Sequence, residues 1–313
     1  DVEETTANNY QDALRPARAH HGKRPLQGYD EDDVDDLVTW MLTSGRKRGG
    51  TPGTGLSART VRLTLGRMKA AWALGVRRQL VRRNVVEHTK IPRAARKAQA
   101  ARKAQRPHWG QNEVGQFLSH LRGHRLEAPV LLAFLGVGPA ELCGERWEQD
   151  VDLEHGRIQV AENTRTMVWD DNGGRVVEKG GKAQARERWL PLVRRARIAL
   201  TAFRARQARE RLAAGEAYLD SGYVLVDELG RPFKTDQWRR MLYKLMKEAG
   251  VPQVRPYDAR HACLTFLATH GVPDVIISAW AGHADLNTAK RFYIHPRVED
   301  LQQAADQLDE FLG

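Results

Sequence analysis

Apolar residues recur at three- and four-residue spacing over most of this chain and alternate only in one short central stretch. The first helical segment runs from roughly Thr5 to His20, with Tyr10, Leu14 and Ala17 at helical spacing. A second begins near Asp30, where carboxylates crowd the N-terminal turn and meet the positive end of the helix dipole. A glycine-rich loop (46–55) follows, and Ser57 is placed to cap a helix running to about Leu74. The stripe Val61, Leu65, Met68 and Trp72 on that helix reads as core. A short helix near Arg77–Arg83 and an exit through Asn84 close this first block.

After residue 107 a helix over Gln111–Leu121 and an apolar one around Pro129–Leu135 are expected, followed by the turn 136–142 with Pro139 suited to a first helical turn. Alternation then predicts strands at 158–162, 166–169, 175–178 and 188–192, with turns at 171–174 and 180–181. Helices return at 194–213, 236–249, 258–270, 273–281 and 285–293. A last segment, 298–312, places Leu301, Ala305, Leu308 and Leu312 on one face. The pattern as a whole is mainly α with a small antiparallel β-sheet.

Composition narrows the class. At 313 residues the chain is long enough for two cores. With 41% hydrophobic and 28% charged residues it is not a disordered chain. No apolar run approaches the ~18 residues of a membrane span, and the acidic start (Asp1, Glu3, Glu4) does not read as a signal peptide. Two cysteines, Cys143 and Cys263, supply no disulfide framework, so a reducing cytoplasm is expected. The net charge of +11 is unevenly spread. Residues 93–106 carry six basic and no acidic side chains, whereas residues 107–313 are balanced at 28 of each.

That basic stretch repeats AARKAQ in tandem (94–99 and 100–105) between Pro92 and Pro107; its Ala, Arg, Lys and Gln suit a transient helix, but it offers no apolar face to bury. It reads as an interdomain linker, either merely solvated or, through Arg93, Arg96, Lys97, Arg102 and Lys103, seeking phosphate. On the helix after Ser57, Arg59, Arg62, Arg67 and Lys69 lie mostly away from the apolar stripe and are available for DNA.

No P-loop, GxGxxG, HExxH or GxSxG motif is present. His20-His21 reads as a loop pair, and a zinc site there would need further ligands, so no metal or other cofactor is expected. The distinctive text is late: YDARHACLTFLATHGVPDVIISAWAGHADLNTAKRFYIHP (257–296). Here the chain resembles the tyrosine recombinase (phage integrase) family. Arg260-His261 resemble its H-x-x-R-H box, Gly282-His283 its L-G-H box, and Tyr293-Ile294-His295-Pro296 its nucleophile segment. Upstream, LAFLGVGPAELCGERWEQDVDLEHGRI (132–158) is similar to the first box, G-L-R-x-x-E-L followed by L-R-W-x-D-(V/I)-D. Lys179 resembles the lysine of the hairpin before the V/L-P-L strand, with Lys182 as the competing position.

The resemblance implies a helical core-binding domain (1–92), the basic linker (93–106) and a catalytic domain (107–313) whose last helix, 298–312, docks on a neighbouring protomer or packs in cis. Tyr293 would be the nucleophile, Arg260 a phosphate clamp, Lys179 the general acid and His283 a phosphate ligand. Arg260 also has a purely structural reading, as an ion-pair partner of Asp258 or Glu141. Two departures stand out: Gly138 occupies the first-box arginine position, and Tyr257 stands where His or Lys usually opens the second box. Implied partners are a duplex recombination site, further copies of the chain (a dimer on a site, a tetramer in the synapse) and an accessory DNA-bending protein. The setting would be the bacterial nucleoid. The alternative is a recombinase-fold DNA-binding protein disabled at Gly138.

Overall fold

The computed structural model describes residues 4–47, 50–105, 107, 109–160, 163–170, 173–180 and 188–282. They form two compact units, the residues before 107 grouped with 169–170 in the first and the remaining residues in the second, each with a core of its own.

The first unit is helical: α1 (Glu4–His21), α2 (Glu31–Thr43), α3 (Ala58–Arg77) and α4 (Arg93–Ala104). Asp30 starts α2 through a capping box, its carboxylate accepting from the Asp33 N–H at 3.0 Å while its own N–H donates to Asp33 at 3.1 Å. Ser57 starts α3 by accepting from the Thr60 N–H at 3.1 Å. Val34, Leu37, Val38 and Met41 of α2 close on Val61, Leu65, Met68 and Trp72 of α3, and Tyr29, Val85 and Val86 complete the cluster. Thr64, buried on α3, donates to the Ala13 carbonyl at 2.7 Å and so fixes α1 on α3.

Two readings from the pattern change here, and one is made definite. The stretch 77–83, expected as a short helix, is a run of turns after Arg77, with Gln79 at φ +58°. His20 and His21 close α1 rather than sit in a loop. The basic repeat is helical over Arg93–Ala104, because alanine, arginine, lysine and glutamine need little tertiary help to propagate a helix.

The second unit comprises α5 (Gln111–His120), α6 (Glu127–Phe134), the one-turn helices α7 (Pro139–Leu142) and α8 (Trp147–Asp150), β1 (Val151–Asp152), β2 (Arg157–Val160), β3 (Asn163–Asp170), β4 (Gly173–Gly180), β5 (Arg188–Pro191), α9 (Arg194–Ala214), α10 (Thr235–Glu248), α11 (Pro256–Thr269) and α12 (Asp274–Ala281). β1, β2 and β5 form an antiparallel sheet in that order, with Ile158 opposite Leu190 and Val160 opposite Arg188, and β3–β4 is a separate hairpin. Helix α6 is apolar all round, and its residues 128–133 are buried. That is why its sequence lacks a clean stripe. It packs against both α9 and α11. Where α9 must bury a polar group, the group is satisfied: Gln207 accepts from the Trp147 indole and donates to the Val224 carbonyl, each at 2.8 Å.

Candidate active site

The site begins where the buried helix α6 ends. The chain reverses at Gly136, whose φ of +95° lies in the region that favours glycine. Gly138 then caps α7 and Pro139 opens it. The Gly136 carbonyl faces Arg260 on α11 and accepts from its Nη1 at 2.7 Å. The other end of the guanidinium donates from Nη2 to the Ala281 carbonyl, the last residue of α12. Gly282, at φ +63°, ends α12 there in a left-handed cap. Arg260 is 5% exposed and ties the loop before α7 to the end of α12.

A second guanidinium stands beside it. Along β5 the side chains alternate between buried and exposed, and the inward register carries Arg188 with Leu190. Arg188 donates from Nε to the Trp280 carbonyl at 2.6 Å and from Nη2 to the Glu141 Oε2 at 3.4 Å. Arg260 Nη1 reaches the same Glu141 oxygen at 3.3 Å, and the Gly138 N–H donates to it at 2.7 Å. One carboxylate oxygen thus gathers two arginines and the amide of the residue that caps α7. Burial pulls the Arg188 pKa down; Glu141 opposes the shift and Arg260 adds to it. Glu141 offsets one of the two positive charges.

Arg188 did not emerge from motif spacing. The signal available was an arginine in the inward register of an alternating strand, where a charge persists only if it is paired.

Position 138 supplies no charge, yet nothing in the backbone demands glycine. Its φ is −71° and ψ 156°, ordinary extended values that also suit a residue before proline. A Cβ built there would meet the Glu141 Oε2 at 3.2 Å, the movable end of a side chain.

Glu145 is the other unusual group near these arginines. It is 2% exposed, and neither carboxylate oxygen has a hydrogen-bond partner among the described residues. Burial pushes its carboxyl well above the usual range, and Asp150 and Glu141 push in the same direction while Arg188 opposes them. Glu145 immediately precedes Arg146-Trp147, where the first-box pattern has leucine.

Of the expected site residues, Tyr257 lies in the first turn of α11, 40% exposed, its ring edge-on to His261 with centroids 5.0 Å apart. Its ring centroid is 5.9 Å from the Arg260 guanidinium carbon. Asp258 pairs with Arg255 at 2.6 Å, so of the two carboxylates weighed as ion-pair partners for Arg260, Glu141 holds it. The backbone of Lys179 belongs to β4, but its side chain lies outside the described residues, as do Lys182, His283, Tyr293 and the segments 285–293 and 298–312.

In the first unit Arg59 and Arg62 lie exposed on α3, whereas Arg67 lies over the Tyr10 ring at 4.2 Å and Lys69 pairs with Glu87 at 2.6 Å. Arg93, Arg96, Lys97 and Arg102 are carried by α4; the Lys103 side chain lies outside the described residues.

Comparison with known proteins places this architecture. Residues 111–300 match the model of the phage integrase family, and the chain belongs to that family of site-specific recombinases. The "Tyrosine recombinase XerC-like" protein of Caldanaerobacter subterraneus subsp. tengcongensis is 30% identical over 206 residues, covering 63% of this chain and 52% of that protein. The "Integrase" of Streptomyces ambofaciens is 26% identical over 278 residues, covering 87% of this chain and 66% of that one. The chain thus spans about half the length of the first relative and about two thirds of the second. In fold it is similar to the Tn1549 transposon integrase in complex with transposon right end DNA, with TM-score 0.76 and 18% identity over 99% of this chain and 95% of that one. A lambda integrase dimer bound to a COC' core site has TM-score 0.60 and 13% identity, covering 94% of this chain and 89% of that one. No helix among the described residues is long and apolar enough to cross a membrane.

Proposed function

We propose that this chain is a site-specific recombinase that cuts and rejoins duplex DNA through a 3′-phosphotyrosine and a Holliday junction, in the service of a mobile element or phage. The observation that carries the reading is the pair of buried guanidinium groups, Arg260 and Arg188, converging on Glu141 beside the end of α12, directly before His283. Tyr293 Oη, its hydroxyl proton given up to solvent, attacks the scissile phosphorus in line as the bond to the 5′-oxygen breaks, and Lys179 delivers a proton to that leaving oxygen. Arg260 neutralises charge on the non-bridging oxygens, His283 holds one of them, and Tyr257 donates a hydrogen bond. Arg188 supplies the second guanidinium that position 138 lacks, once a phosphate oxygen takes the place of the Glu141 carboxylate. Arg59 and Arg62 on α3, with the basic residues of α4, hold the duplex backbone. Copies of the chain act as a dimer on each site and a tetramer in the synapse, and an accessory DNA-bending protein is a further partner.

A second reading, a DNA-binding protein with its chemistry disabled, is favoured by one feature: both arginines are engaged by Glu141 while Gly138 offers none. A nicked suicide substrate carrying a footprinted site separates the two. A covalent adduct lost in Tyr293→Phe establishes the enzyme. An adduct formed only after Gly138→Arg identifies the disabled form, and no adduct from either refutes the recombinase reading.

A further inference from the structure

Away from this site, the first unit gathers three metal-ligating side chains from two different helices. His20 and His21 end α1, and Asp36 lies on α2. Both imidazoles address one oxygen: His20 Nε2 is 2.8 Å and His21 Nε2 3.2 Å from Asp36 Oδ2. One ligand atom from each of the three residues lies within 4.8 Å of the others. With metal–nitrogen and metal–oxygen bonds of about 2.0–2.2 Å, a tetrahedral ion separates its ligands by roughly 3.4 Å. The two histidine–carboxylate distances therefore need to open by only a few tenths of an ångström to about half an ångström to admit one.

The surroundings hold the two rings in place. His20 stacks on Trp40, with centroids 4.3 Å apart and planes 9° from parallel. His21 Nδ1 is 2.9 Å from the Tyr29 hydroxyl. A phenol hydroxyl can donate or accept there. An outer hydrogen bond on the ring nitrogen remote from the ion is the usual companion of a metal-bound histidine, because it fixes the tautomer and the ring orientation. The carboxylates at 31–33, 35 and 36 add negative potential, although Glu31 is paired with Arg83 and Asp33 with Arg24. Asp36 is 61% exposed, which leaves a solvent-facing position for water as fourth ligand.

We infer that His20, His21 and Asp36 form a binding site for a borderline divalent transition metal, zinc being the representative, which ties the end of α1 to α2. Two imidazoles and one carboxylate suit zinc, cobalt or nickel and disfavour magnesium and calcium, which take oxygen ligands. On binding, each neutral imidazole presents its unprotonated Nε2 to the ion and keeps its proton on Nδ1, which in His21 donates to the Tyr29 hydroxyl; any imidazolium proton passes to solvent, and no redox partner is involved. The inference does not depend on the recombinase reading.

The test is titration of the metal-free full chain with cobalt(II) and zinc(II). Saturable binding of one cobalt ion with the visible ligand-field bands of a four-coordinate site is expected, displaced by zinc. His21→Gln and Asp36→Asn should each weaken binding at least about tenfold, and Tyr29→Phe, which removes only the outer hydrogen bond, by roughly 10–100-fold. Zinc-soaked crystals of the unaltered chain give a second measurement that no folding defect can confuse, with an anomalous peak expected among these three side chains. Undiminished affinity in the folded variants, or a peak elsewhere only, would leave a hydrogen-bonded His–Asp cluster and overturn the site.

Discussion

Glu145 has a cost that pH should expose. Its carboxyl is pushed well above the ordinary range by burial first, then by Asp150 and Glu141. Between the unperturbed value, about 4.3, and the raised one, the folded chain holds a proton the unfolded chain has lost. Stability from this group is therefore present at low pH and falls as pH rises through that window. Glu145→Leu is expected to stabilise the second unit by about 1–3 kcal/mol at neutral pH. Denaturant unfolding at pH 5 and pH 8 checks this: the gain should be larger at pH 8, and an equal gain at both would exclude the titration. Arg188 makes a different prediction. If it stands in for the missing guanidinium, Arg188→Gln slows cleavage by about 10²–10³ with Gly138 present and far less beside Gly138→Arg. A purely structural role gives the same loss in both backgrounds, so single-turnover cleavage of the four combinations decides.

At the scale of elements, two pieces carry the proposed grip and the proposed acid. Helix α4 carries Arg93, Arg96, Lys97 and Arg102. Changing Arg96, Lys97 and Arg102 to glutamine, which keeps helix propensity, should lower the slope of log affinity against log salt by about 0.9 for each phosphate that is no longer neutralised. An unchanged slope would make α4 a solvated helix. On the β3–β4 side, Lys179 and Lys182 compete for the acid role. Removing a general acid is rescued when the leaving oxygen is replaced by sulfur, because a thiolate departs without being protonated. Cleavage of such a substrate should be restored in Lys179→Ala and give no such selective rescue in Lys182→Ala.

Helix positions followed the sequence closely because each carried a local cause: the Asp30 and Ser57 caps, the Val61–Trp72 stripe and the alternation in β5. The stretch after Arg77 departed from expectation because its residues are helix-compatible while Gln79 takes a left-handed turn that propensity does not report. The repeat at 93–104, whose residue types suit a helix, is helical although it lacks a buried stripe.

For the whole molecule, two separate cores mean two separable stabilities. Leu37→Ala, fully buried in the first unit, should cost roughly 2–5 kcal/mol and shift only the part of the unfolding curve belonging to that unit. A uniform shift of a single transition would show that the units unfold as one. What the sequence by itself determined was local or compositional: the helix starts, the mainly α class, the uneven charge, and family motifs that survive as short strings such as Arg260-His261 and Tyr293-Ile294-His295-Pro296. What only the tertiary structure decided were convergences between distant segments. Arg188 and Arg260 meet on Glu141 from 47 and 119 residues away, and His20 meets Asp36 across 16. The reason is physical: capping and periodicity act within a turn or two of the chain, whereas the pairing of a buried charge depends on which element packing brings opposite it.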